Sequence, residues 1–130
     1  MFSETTDNII VTVRPSFIAE QSSPAEDKYV WAYKVRIENR GPETVQLLNR
    51  HWKITDAHGK LQEVRGAGVV GETPTLEPGE SFEYTSGVPL LTPSGFMTGS
   101  YGMVTANGEG FDIAIPAFSL DSAQSKPTLN

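Results

Sequence analysis

Gly66, Gly68 and Gly71 stand in the G-x-G-x-x-G spacing of a dinucleotide-binding turn. Arg65 directly precedes them, and Arg50 lies on the segment that would pair with theirs. In a nucleotide site such glycines turn the chain after a strand, and a following helix aims its N-terminal amides at a pyrophosphate. A strand is legible here as LQEVR. Pro74 and Pro78 follow too closely for a helix, so no Rossmann site can form. The spacing still permits a concavity of successive amides, with Arg65, Gly66, Gly68, Gly71 and Arg50 as the candidate anion-binding set. Glu72 at its far end would repel a phosphate. The competing reading is conformational: the glycines supply positive φ, and Val69 and Val70 tuck into a core.

Other chemistry-bearing residues are sparse. His51 and His58 are the only histidines, with Asp56 and Glu63 nearby, and two histidines without cysteine make a thin ligand set. No metal site is therefore expected. Ser81, Ser86 and Ser94 have no evident base, and GVPLLTPSG is not a nucleophile elbow, so no catalytic residue is assigned. Trp52, Phe96 and Met97 are candidates for a partner-binding surface, since Trp and Arg anchor interfaces and Met adapts to them. Trp31 and Trp52 serve equally well as two halves of a core. Arg50 shares the parity of Trp52, so it must snorkel, pair, or line an opening at the sheet end.

The elements that must position these residues repeat with period two. In YVWAYKVRIE the residues Tyr29, Trp31, Tyr33, Val35 and Ile37 fall on one face, the pattern of a half-buried strand. Ile9, Val11 and Val13 make another, which Pro15 places at a sheet edge or a bend. Leu48, Trp52 and Ile54 share a face, and DAHGK closes a hairpin into LQEVR. SFEYTS reads as a strand and GVPLLTPSGFMTG as a long loop. SYGMVTA and FDIAIPAF pair across NGEG, with Phe111, Ile113 and Ile115 on one side. This predicts an all-β chain: an immunoglobulin or fibronectin type III-like antiparallel β-sandwich of about seven strands, with a small barrel as the alternative. The domain spans 1–118, and 119–130 reads as a frayed polar tail.

The 130 residues suffice for one domain, and the absence of cysteine removes disulfides and thiolate chemistry. A formal net charge of −6 argues against nucleic-acid binding. The N-terminal stretch MFSETTDNII has neither the basic nor the apolar region of a signal peptide, and no apolar run reaches membrane-spanning length. A cytoplasmic protein is expected.

In sequence the chain resembles the ApaG proteins. The resemblance rests on RHWKITD at 50–56, Gly59, EVRGAGVVGE at 63–72, Pro74, Leu76 and PGE at 78–80. It continues through YTSG at 84–87, Gly95, Met97, Gly99 and Tyr101. Each piece is short, and their order and spacing together are specific from about the first strand to Phe118. The resemblance implies a single-domain bacterial cytosolic protein with a fibronectin type III-like sandwich, associated with cobalt resistance and magnesium efflux. It also implies a protein-interaction role, since similar domains are appended to eukaryotic F-box proteins and to a DNA polymerase delta-interacting protein. Nucleotide or pyrophosphate binding has been suggested for the family's glycine loop. The expectation is a non-enzymatic binding module for an unidentified protein partner. It would need no cofactor, could take a phosphate-containing ligand at 65–72, and would act on Co/Mg homeostasis indirectly. The alternative is a small enzyme acting on a phosphate compound with a divalent metal, for which Asp56, Glu63 and Glu72 are the nearby carboxylates.

Overall fold

In a computed structural model that describes residues 1–122, the chain forms two antiparallel sheets packed face to face. The strands are β1 (Phe2–Thr6), β2 (Ile9–Phe17), β3 (Tyr29–Asn39), β4 (Val45–Asp56) and β5 (Leu61–Ala67), followed by β6 (Thr75–Leu76), β7 (Ser81–Leu90), β8 (Ser94–Thr105) and β9 (Gly110–Asp121). One sheet has the order β1-β2-β3-β7. The other has the order β5-β4-β8-β9, with β6 paired to the start of β4. The sandwich expected from the alternation is therefore present.

The alternation becomes burial directly. Tyr29, Trp31, Tyr33, Val35 and Ile37 all face inward from β3, and Val11 and Val13 oppose Ile37 and Val35 across the β2–β3 ladder. Each fully buried side chain of this size contributes about 1.5–3 kcal/mol. Trp52 stands at the centre, with ring centroids 5.1 Å from Tyr33, 6.0 Å from Phe118 and 6.3 Å from Tyr101. Both tryptophans are core residues.

The two sides of the sandwich differ, and this positions the site. On one side β9 meets β1: Phe2 stacks at 5.9 Å from Phe118, and the Ala114 amide donates to Thr6 Oγ1. On the other side β5 and β7 each end their sheets. That leaves an inter-sheet cleft walled by strands with one ladder partner apiece.

Four expectations need correction. β1 is an additional strand, joined to β2 by Asp7-Asn8, both at positive φ. These two residue types tolerate that region, which is the signal for a two-residue hairpin turn. Of the long loop expected over 87–99 only 91–93 is a connection: 94–99 begin β8 and 87–90 extend β7, where Pro89 lies on an edge strand and its missing N–H interrupts nothing. Leu48 is 39% exposed rather than core: the β4–β8 register shifts between Leu47 and Asn49, so Leu47 takes the inward position. The domain does not stop at Phe118, since β9 runs to Asp121 and Leu120 is fully buried. The remainder of the expected frayed tail lies outside the described residues. Pro15 behaves as expected: β1 pairs only with residues 9–13, so β2 is an edge at that point.

Candidate functional site

The 66–72 segment is a tight hairpin. The Glu72 amide donates to the Val69 carbonyl at 2.9 Å and the Val69 amide returns the bond at 2.8 Å. The two central residues, Val70 and Gly71, have φ of +43° and +82°, the pattern of a type I′ turn. The Gly68 amide donates to the Leu48 carbonyl. Gly68, Val69 and Glu72 thus direct their N–H groups to the chain's own carbonyls. Of the three candidate glycines, Gly68 therefore has its amide committed within the protein.

Each glycine has its own requirement. Gly71 fills the second turn position. Gly68 sits at φ +64°, and a Cβ there would overlap the Glu72 carbonyl oxygen. Gly66 has ordinary φ, but a Cβ would come within 2.8 Å of the Arg50 guanidinium. The conformational reading also holds in part for the valines: Val69 is fully buried, while Val70 is 56% exposed.

Gly66 is therefore the space into which Arg50 fits. The β4–β5 register sets Arg50 opposite Gly66 and His51 opposite Arg65. Side chains alternate faces along a strand, so Arg50 and Arg65 leave the ribbon on opposite faces. Arg65 is on the outer face, where its Nη2 lies 3.4 Å from Glu63 Oε1. His51 Nε2 meets the same oxygen at 2.7 Å. His51 and Arg65 line an outer depression of about 350 Å³ with Asn49, Ser100 and Asp112, and Arg50 and Gly66 reach its wall as well. The hydrogen bond from His51 is the chief cause holding the Glu63 carboxyl below its ordinary range.

Arg50 is half-buried on the inner face. Its Nη1 donates at 2.9 Å to both the Ala67 and the Gly68 carbonyls, which fixes the planar guanidinium under the hairpin. Among the described residues no carboxylate pairs with it, and its Nε and Nη2 hydrogens have no protein acceptor. It lines the opening between β5 and β7, one of the three outcomes its parity allows. The cleft is about 240 Å³, walled by Trp52, Val64, Val88 and Pro89, with Gln62 and Ser86 at its polar edge.

Three phenols stand close to that charge. Tyr84 and Tyr101 hydrogen-bond to each other inside the sandwich. Burial pushes both phenols up, against the pull of the Arg50 charge. Burial also raises Tyr33, while the Ser86 hydroxyl and Arg50 work in the opposite direction. All three are neutral hydroxyls at pH 7. The sequence reading omitted them. Their signal was the inward parity of Tyr33 and Tyr84 together with Arg50, since a buried phenol needs a polar partner.

The remaining candidates separate. Trp52 and Met97 are 3% and 1% exposed, so neither is available to a partner at the surface. Phe96, at 48%, is on the outside. His58 lies in the β4–β5 turn, where its amide and that of Lys60 donate to Asp56 Oδ1. Among the described residues no three His, Cys, Asp or Glu side chains gather as a metal site. No helix there is long and apolar enough to cross a membrane.

Comparison with known proteins adds the family. The model for the ApaG domain matches residues 19–105. The ApaG protein of Rhodospirillum centenum is 66% identical over all of both chains, and that of Paramagnetospirillum magneticum 62%. A solved structure named for the ApaA protein of Bordetella pertussis superposes with a TM-score of 0.86 at 50% identity, covering 89% of this chain and 94% of that one.

Proposed function

Because the chain belongs to the ApaG family, we propose that it is a non-enzymatic binding module that accepts an anionic group, such as a phosphate, at Arg50. One observation carries this reading: a half-buried guanidinium clamped by its own hairpin, with no carboxylate partner among the described residues, lines a cleft. A half-buried charge of this kind gains when an anion completes its hydrogen bonds. The 65–72 hairpin then acts as the arm that orients Arg50, and Gly66 leaves room for the guanidinium. Arg65 is paired with Glu63 and is not needed for this role. A part in cobalt and magnesium homeostasis, implied by the family resemblance, would be indirect and carried by a protein partner.

The test is an amide and arginine side-chain NMR titration with a nucleoside triphosphate in the absence of metal. Saturable shifts at the Arg50 Nε–H, Gly66 and Gly68 are expected. Unmoved signals at millimolar ligand refute phosphate acceptance at Arg50. Release of inorganic phosphate with magnesium or cobalt, abolished by Glu63→Ala or Glu72→Ala, refutes the non-enzymatic reading.

A further inference from the structure

We infer that the cleft between β5 and β7 is a binding site for a small organic carboxylate: one apolar or aromatic body with a single acidic group directed at Arg50. This rests on the anion reading of Arg50 and narrows it to a ligand class. The cleft's chemistry is two-sided. Its walls are the Trp52 ring, Val64, Val88 and Pro89, and its polar groups are Arg50, the Tyr33 phenol, Ser86 and Gln62. Ligand sites join a mainly apolar lining to a few convergent polar groups in this way. An inorganic phosphate would leave those apolar walls uncovered, and a nucleoside triphosphate would bring several charges against one cation.

Size and geometry narrow the occupant further. At about 240 Å³ the space is below the roughly 300 Å³ at which drug-sized sites begin, so it holds one ring or a short branched chain. The guanidinium offers Nε and Nη2, the edge that meets a carboxylate with two parallel hydrogen bonds, because Nη1 is already committed to the Ala67 and Gly68 carbonyls. The Tyr33 phenol, which lines the same cleft, supplies a further donor. The edges that form the mouth, β5 and β7, each have a single ladder partner, so entry breaks no sheet pairing.

The experiment is an NMR titration of the full chain with phenylacetate, with phenylacetamide as the neutral isostere and inorganic phosphate in parallel. Phenylacetate is expected to shift Ser86, Gly87, the Gln62 side-chain amide and the Trp52 indole N–H saturably, with phenylacetamide at least tenfold weaker. Arg50→Gln should lose this discrimination. Since Arg50 also anchors the hairpin, Gln62→Trp is the second variant: Gln62 is exposed at the mouth, and a ring there should block entry while the fold persists. Phosphate shifts at Arg50 without phenylacetate binding overturn the ligand class and leave the anion reading standing. Equal binding of phenylacetamide, or binding unchanged by Gln62→Trp, overturns the assigned site. Silence to both anions overturns this inference and the anion reading together.

Discussion

Val70 is a β-branched residue at φ +43° in the first central position of a two-residue hairpin turn. An L-residue in the left-handed region costs about 1–2 kcal/mol, and branching at Cβ adds crowding. Asn tolerates this region, so Val70→Asn removes most of that strain. The loss is small, because Val70 is 56% exposed and gives up less than half of its burial, under about 1 kcal/mol. The net expectation is a gain of about 1 kcal/mol. With about 2.1 cal/mol/K of unfolding entropy per residue over 130 residues, that raises Tm by about 4 °C. Val70→Gly should fall below the Asn variant, since glycine also relieves the strain but loosens the unfolded chain. Differential scanning calorimetry of the three proteins decides the matter. A Tm unchanged or lowered in Val70→Asn would refute the reasoning and mean that the valine makes a contact worth its strain.

Tyr84→Phe leaves the Tyr101 hydroxyl buried without its partner and should destabilise the fold by about 1–3 kcal/mol. Adding Tyr101→Phe should recover part of that loss, and urea denaturation of the double-mutant cycle measures the coupling. Gly66→Ala places a methyl group against the Arg50 guanidinium and should displace it from the Ala67 and Gly68 carbonyls. A loss of about 1–2 kcal/mol, with faster amide exchange in 66–72, is expected. Asp56 is held below its ordinary value chiefly by the Lys60 amide, and Glu63 chiefly by His51. A folded pKa below the unfolded one means that the stabilisation is present above the unfolded value and is lost as pH falls through the folded one. Stability should therefore decline below about pH 4, and carbon-detected carboxyl titrations should give midpoints under the ordinary values for both groups.

The fold was legible because its signal is local. Alternation in YVWAYKVRIE requires only that one face be buried, and the structure buries that face. The errors fall where one residue changes the phase. At Leu48 a bulge inserts an extra position, and nothing in VQLLNR marks which leucine is the surplus one. In 87–90 Pro89 suggested a loop, yet an edge strand accepts it, and edge position is a property of the whole sheet. The cleft is a stronger case. Arg50 could be placed on the inward face from its parity with Trp52. Its neighbours Tyr33, Ser86 and Gln62 come from three different strands, brought together by sheet order rather than by spacing.

The glycine spacing shows why a motif needs its context. In a nucleotide fold the glycines act together, letting the backbone approach a ligand that a helix end then holds. Here three independent constraints produce the same pattern. Gly71 answers to a turn angle, Gly68 to the Glu72 carbonyl, and Gly66 to a guanidinium that approaches from the adjacent strand. Only the last bears on the proposed anion site, because it decides whether Arg50 can lie under the hairpin. Constraints that differ in origin should separate on substitution. A residue tolerant of positive φ, such as Asn, is acceptable at 71, where no atom obstructs a side chain. The same residue at 66 collides with Arg50. If the two changes were equally damaging to ligand binding, the glycines would be a unit after all, and the hairpin itself rather than Arg50 would hold the ligand.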